Sequence, residues 1–200
     1  MQDLRRFQTP ALFVLPQAPV EVLKQFDERS YKVQVAIDDK GMVTSIRSVE
    51  PADAEFQAHL NEAVRFWVFF PEVDPKTCST LPSTGVVEMS YRRGENEPRV
   101  WLTLDTGKRL LETPPPRQVR TPPLPAYPSR ELSQGISGSV FVLAAVDPQG
   151  DVTSTNLLLG LPPSEGLVTQ ARRHLGRTKF DPGLAAVRCV AVEYIYKLQP

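Results

Sequence analysis

Alternating apolar and polar residues predict pairs of β-strands in two separate regions of the chain. Residues 31–37 alternate apolar side chains with polar or small ones, which is the period of a half-buried strand. Residues 38–41 form a turn signal that ends in glycine, and a second strand pattern follows at 42–49. The same sequence of signals returns between 139 and 159. Each region therefore predicts an antiparallel hairpin.

A helix and a third strand are predicted after each hairpin. Apolar residues spaced three or four apart form one stripe on each helix. These residues are Phe56, Leu60, Val64 and Trp67 in the first region and Leu167, Ala171 and Leu175 in the second. Asp53 and Ser164 are the N-cap candidates. Third strands are predicted near 86–91 and 190–197.

The two regions repeat each other in sequence as well as in pattern. Residues 15–45 align with residues 124–154 without a gap, and 13 of these 31 positions are identical. The repeat predicts an α+β fold with two tandem β-β-α-β units. Each unit is expected to be a three-stranded antiparallel sheet, in the order 2-1-3, with one helix packed on a face.

The predicted units span 10–105 and 124–200. Residues 99–104 are predicted to add a fourth strand that covers the third strand of the first unit, whereas the final strand of the second unit is left as an edge. Between the units, 106–123 is predicted to be a proline-rich linker in an extended, semi-rigid conformation. A docking site for a proline-recognising groove is the alternative for this stretch.

Charge and hydropathy exclude several classes of protein. Lys and Arg number 23, and so do Asp and Glu, so no basic excess indicates a nucleic-acid binder. No apolar run approaches the roughly 20 residues that span a bilayer. No signal peptide is visible, so we expect either a cytoplasmic protein or a targeting segment outside this sequence.

No catalytic or metal-binding motif is present in the sequence. His59 and His174 do not occupy equivalent positions in the two regions, and no Cys/His cluster has the spacing of a metal site. The recurring Asp38 and Asp147 are explained as turn-forming residues. We therefore predict a protein that is not an enzyme and has neither a cofactor nor a metal.

Cys78 and Cys189 occupy equivalent positions, just before the third strand of each unit. In an oxidising compartment they could bridge the two units. Because a bridge needs Cα atoms within about 7 Å of each other, the sequence favours the alternative of two separate, small buried thiols.

The first strand of the second unit is apolar on both faces. Val140 and Val142 lie on one face, and Phe141 and Leu143 lie on the other. Antiparallel sheets alternate when one face is wet, so we expect Phe141 and Leu143 to form an interface. The other unit, a partner or the N-terminal segment could supply the cover.

Several short patterns are shared with a known family. Residues 125–128 read Pro-Ala-Tyr-Pro, and a Gly-x-Val pattern begins each strand of the second hairpin. An aromatic-x-aromatic-x-Pro helix exit occurs at 67–71 and, without its leading aromatic residue, at 178–182. In these features the chain resembles, twice over, the C-terminal domain of the TonB energy-transducer family and, more distantly, TolA.

The resemblance implies a non-catalytic periplasmic module that binds an extended segment of an envelope or outer-membrane partner, such as a TonB-dependent receptor. Binding would occur by β-strand addition to the final strand. The residues expected to contact the partner are Tyr127, Pro128, Val190, Val192, Tyr194 and Tyr196. A proline at Val192 would block binding if the Val192 N–H faces the partner. The alternative is a structural adaptor of a cell-envelope assembly, built as a tandem pseudo-dimer.

Overall fold

The computed structural model describes residues 10–12, 28–49, 54–92, 99–104 and 116–198. Within these residues the protein is a mixed α+β structure with more strand than helix. Contacts divide the chain into two units, which consist of residues 1–72 with 81–110 and residues 73–80 with 111–200.

The first half of the chain forms a four-stranded antiparallel sheet and one helix. Its elements are β1 (Glu28–Ile37), β2 (Val43–Ser48), α1 (Ala54–Val64), β3 (Glu72–Val73), β4 (Thr80–Leu81), β5 (Ser83–Arg92) and β6 (Arg99–Leu104). The sheet has the order β2-β1-β5-β6, and β3 pairs with β4. Residues 99–104 therefore cover the outer edge of β5, as the sequence predicts.

The predicted alternation of β1 is confirmed. Val33, Val35 and Ile37 are at most 1% exposed, whereas Gln34 is exposed. Leu60 on α1 is also buried, so the helix and one face of the sheet supply the core of the first unit. The candidate cap Asp53 lies outside the described residues.

The second half of the chain forms a three-stranded antiparallel sheet with helices. Its elements are β7 (Gln118–Arg120), α2 (Ser129–Ser133), β8 (Gly138–Val146), β9 (Val152–Leu161), α3 (Glu165–Leu175), β10 (Lys179–Phe180) and β11 (Arg188–Tyr196). The sheet has the order β11-β8-β9, and β10 pairs with β7. Four alternate residues of β8, from Val140 to Val146, pack with Leu167, Ala171 and Leu175 of α3.

The hairpin turns are fixed by aspartate side chains, as predicted. Asp38 Oδ1 accepts hydrogen bonds from the backbone N–H groups of Lys40 and Met42, at 2.9 and 2.8 Å. Asp147 Oδ1 accepts from the N–H groups two and four residues further on, at 3.0 and 2.8 Å. Both carboxylates therefore act within their own turns.

A glycine in each turn contacts the segment that follows the helix. Gly41 has φ +85°, and its carbonyl oxygen accepts a 2.9 Å bond from the Phe69 N–H. Gly150 has φ +88° and accepts a 2.9 Å bond from the Phe180 N–H. A Cβ atom at either glycine would lie about 2 Å from the phenylalanine carbonyl oxygen, at 1.9 and 2.1 Å. Only glycine fits these positions, because of both the positive φ and the close backbone approach.

The described part of the predicted linker, residues 116–123, is not a free spacer between the units. Residues 116–123 belong to the second unit, and β7 within them pairs with β10. The second unit also includes 73–80, which the sequence assigned to the first. Sequence patterning missed both assignments because they depend on pairing between distant segments.

Candidate protein-interaction site

The final strand, β11, lies at the edge of the second sheet. It pairs with β8 through an uninterrupted antiparallel register of nine residue pairs. Within the described residues no strand pairs with its other side. The opposite edge strand, β9, has two register shifts against β8. A regular edge is the better template for another strand, since bulges disrupt the row of unpaired backbone groups.

The register identifies which backbone groups of β11 point outward. The Asp147 N–H donates to the Asp151 carbonyl on the β9 side, at 3.0 Å. Successive residues of a strand alternate in direction, so Val146 and every second residue before it face β11. One of these β8 residues is Val142, which is paired with Val192 of β11. Val192 therefore directs its N–H toward β8. The backbone groups of Ala191 and Ile195 point away from β8.

The side chains of the predicted contact residues on β11 pack inward. Val190 and Tyr196 belong to the core of the second unit, and Val192 and Tyr194 are partly buried against that core. These four residues hold the edge strand in place. Its outward groups belong to the residues between them, which the apolar pattern did not identify.

Of the two entry residues that the resemblance assigned to partner binding, Tyr127 contacts the end of β11. The Tyr127 hydroxyl donates to the carbonyl oxygen of Ile136, and its ring packs edge-on against Tyr196 at 5.6 Å. Burial, with a smaller contribution from Tyr127, raises the pKa of Tyr196 to about 12. Pro128 stands at the N-cap position of α2.

The N-terminus of α3 is capped by a residue that the sequence did not identify. Ser164 occupies the predicted N-cap position, but its side chain makes no capping bond to the helix backbone. Instead, Glu131 accepts hydrogen bonds from the Ser164 hydroxyl at 3.0 Å and the Gly166 N–H at 3.2 Å. This buried carboxylate also complements the positive end of the helix dipole. Its distance of 33 residues from Ser164 hides it from local patterns.

A proline-rich strap, residues 121–128, is held beside α3. His174 contacts the Pro122 carbonyl oxygen through Nε2 at 3.2 Å and the Tyr194 hydroxyl through Nδ1 at 2.9 Å. Burial of Tyr194, with a smaller effect of Tyr196, raises the pKa of that hydroxyl above its ordinary value. The histidine therefore connects the strap to β11, in a structural role.

Phe141 and Leu143 are buried, as expected for a covered face. They are 5% and 0% exposed. Asn156, which lies opposite Leu143 in β9, donates a 3.0 Å hydrogen bond to the Cys78 carbonyl oxygen. The loop 73–80 therefore lies over part of this face of the sheet.

Cys78 and Cys189 form a disulfide, with an S–S distance of 2.02 Å and a Cα–Cα distance of 5.3 Å. The expectation of two separate thiols is therefore wrong. Hydrogen bonds to Asp74 shape the loop: its carboxylate accepts from the Lys76 N–H and the Thr77 hydroxyl. These donors, the Lys76 amide first, lower the pKa of the Asp74 carboxyl. The loop brings Cys78 to β11, which the linear sequence does not show.

The described residues contain no group of three or more side chains arranged to hold a metal ion. None of the helices in the described ranges is long and apolar enough to cross a membrane.

Comparison with known proteins places the second unit in context. Residues 123–198 match the family model described as Gram-negative bacterial TonB protein C-terminal. No curated protein matches the chain. Among solved structures, the chain is similar to the solution NMR structure of the Pseudomonas aeruginosa TonB CTD, at 23% identity and a TM-score of 0.36. That similarity covers 42% of this chain and 87% of the other.

The matched family consists of periplasmic, non-enzymatic transducer domains of Gram-negative bacteria. The match indicates a protein-interaction module of the bacterial envelope in residues 123–198.

Proposed function

We propose that the second unit binds an extended segment of an envelope or outer-membrane protein, such as a TonB-dependent receptor, by adding it as a strand beside β11. The observation that carries this proposal is the uninterrupted edge of β11, with the backbone groups of Ala191 and Ile195 directed outward. Main-chain hydrogen bonds would supply the affinity, and no catalytic chemistry is required.

The TonB C-terminal fold occurs twice in this proposal, as a tandem pair. Both hairpins have the same aspartate-centred turn and the same hydrogen bond from a phenylalanine N–H to the turn glycine. Both sheets place the first strand of the hairpin between the second strand and the strand after the helix. The units differ at the edge, because β6 covers β5 and no described strand covers β11. The second unit is therefore the binding one.

The proposed location is the periplasm. The disulfide between Cys78 and Cys189 supports this location, because disulfides persist in oxidising compartments and are rare in the cytosol. The same bond ties β11 to the loop 73–80, which keeps the edge strand in place while a partner is bound.

A proline scan of the edge tests the proposal. Ala191→Pro removes an outward N–H and leaves the ladder to β8 intact, so it should weaken binding of a labelled N-terminal receptor peptide by at least about tenfold. Fluorescence anisotropy measures the affinity. Ile195→Pro removes another outward N–H, four residues further along β11, and should have the same effect. This second variant is used if Ala191→Pro folds poorly.

Val100→Pro is the matched control. The Lys32 carbonyl accepts the Val49 N–H, so even-numbered residues of β1 face β2 and odd-numbered ones face β5. In the register of β5, odd-numbered residues then face β1 and even-numbered ones face β6. Trp101 is paired with Glu88 and faces β5, so the neighbouring Val100 directs its N–H outward, at the edge of the first sheet. The control should bind within about twofold of the unmodified protein. Equal losses in Ala191→Pro and Val100→Pro, or no loss in either, would contradict binding at β11.

The structural adaptor is the second candidate. The observation that motivates it is the apolar character of β8 on both faces. Cross-linked partners from an envelope extract distinguish the two functions. An adaptor should retain its partner in Ala191→Pro, whereas a strand-addition module should lose it.

A further inference from the structure

A cleft separate from the β11 edge lies between the strap and α3. It has a volume of about 280 Å³ and is lined by residues of the strap, including Leu124, together with Arg173, His174 and Arg177. We refer to it as the arginine cleft. Its two walls differ in chemistry, since one is apolar and rigid and the other is cationic.

The strap wall is preorganised. Pro122, Pro125 and Pro128 are partly buried, which is one residue in three. This spacing matches one face of a polyproline II helix. Pro123 and Leu124 face solvent between them, with Leu124 89% exposed. The hydrogen bond from His174 to the Pro122 carbonyl fixes the strap against α3.

The helix wall carries cations without partners. Arg173 lies in the last turn of α3 and Arg177 follows its C-cap residue, Gly176, and both arginine side chains are exposed. Arg120 approaches the same end, because it pairs with Lys179 across the β7–β10 ladder. Lys179 pairs with Asp151 at 2.7 Å. Within the described part of the chain, none of these three arginines forms an ion pair.

The local charge favours an anionic ligand. Residues 116–200 contain nine Lys and Arg and six Asp and Glu, although the whole chain is neutral. A cation near a helix C-terminus is stabilised by the helix dipole. That effect accounts for Arg173 in the last turn. It does not account for Arg177, which lies beyond the helix and lines the same cleft beside an exposed leucine.

We propose that the arginine cleft binds an acidic peptide segment in an extended conformation. Arg173 in the last turn of α3 and Arg177 just beyond the helix both line the cleft. In an extended peptide, residues on the same face repeat about every 6.6 Å, which suits side chains that must reach two neighbouring cations. Carboxylates at alternate positions can therefore reach both guanidinium groups, which bind carboxylates through paired hydrogen bonds. An apolar residue beside them would contact Leu124.

The test uses the full chain and a labelled ten-residue peptide that has glutamates at alternate positions and one leucine. The same peptide with glutamine for glutamate is the ligand control. In about 50 mM NaCl, where screening is weak, the glutamate peptide should bind at least about tenfold more tightly than the glutamine peptide. Fluorescence anisotropy measures both affinities.

Protein variants locate the interaction. Arg173→Glu/Arg177→Glu should weaken binding of the glutamate peptide by at least about tenfold, and Arg173→Gln/Arg177→Gln should weaken it less. Lys40→Glu/Arg47→Glu makes the same charge change in the first unit and should leave affinity within about twofold. Circular dichroism confirms that each variant is folded.

Three results would overturn the proposal. One is equal binding of the two peptides, and another is equal loss in the cleft variant and the first-unit control. The third is binding to anionic vesicles that is tighter than binding to the peptide and equally dependent on both arginines. Ala191→Pro should leave this interaction unchanged, so failure of the arginine cleft and failure of the β11 edge are distinguishable.

Discussion

Some residues of this protein bond to groups a few positions away in the sequence, and others bond to groups far away. The sequence alone identifies only the roles of the first kind. Asp147 bonds to N–H groups two and four residues away, so its pattern identifies its role. Glu131 caps a helix 35 residues away at Gly166, and Cys78 bonds to a partner at a separation of 111. Such roles need the fold, because nothing local distinguishes these residues from others of their type.

Tyr196 predicts how stability depends on alkaline pH. Burial raises its pKa to about 12 from an ordinary value of 10.0. The unfolded chain therefore loses this proton first, and stability that is fully present below pH 10 is lost as the pH rises toward 12. Urea denaturation at pH 8, 10 and 11 measures the loss.

Tyr196→Phe supplies the control for this pH dependence. Without the hydroxyl, the variant should lose less stability between pH 8 and pH 11 than the unmodified protein. A pH dependence that is the same in both proteins would show that Tyr196 is not the titrating group responsible.

At the scale of elements, the period of apolar residues predicted the strands and helices. The order 2-1-3, expected of each β-β-α-β unit, is the order in which the strands pair. The contrast between β1, which alternates, and β8, which is buried from Val140 to Val146, could also be read from the sequence. The direction of the β11 backbone groups could not, because it depends on pairing with β8. The apolar residues Val190 and Val192 mark the core-facing side of β11 rather than its outward groups.

The disulfide between Cys78, in the loop 73–80, and Cys189 is expected to stabilise the protein strongly. In the chain-entropy description, a crosslink between residues at a sequence separation of 111 contributes about 5 kcal/mol. Cys78→Ser/Cys189→Ser should therefore lower the urea midpoint of the second unit strongly under oxidising conditions. Far-ultraviolet circular dichroism reports both units, whereas tryptophan fluorescence reports only the first, because both tryptophans, at 67 and 101, belong to it. The difference between the two unfolding curves therefore measures the second unit.

Reducing conditions provide the comparison for the disulfide. With the bond reduced, the unmodified protein and the double serine variant should have nearly equal midpoints. Titration of the denatured, unreduced protein should find no free thiol. Two reactive thiols would contradict the bond.

At the scale of the whole molecule, the sequence repeat predicted two tandem β-β-α-β units, but the boundary between the structural units does not follow the repeat. Residues 73–80 and 116–123 join the second unit through a disulfide, a side-chain hydrogen bond and a short ladder. These contacts join segments that are distant in sequence. The hydrophobic pattern does not show them, so it assigned both segments to the regions next to them in the sequence.

Residue-resolved amide hydrogen exchange across the whole protein, with and without a saturating receptor peptide, tests the central claim most directly. Strand addition at β11 predicts new protection of the Ala191 and Ile195 amides, because they would enter a ladder with the peptide. The Val192 amide, already paired with β8, and the Val100 amide in the first unit should change little. A bound peptide that leaves Ala191 and Ile195 exchanging at their free rates, or that protects another edge instead, would contradict the account.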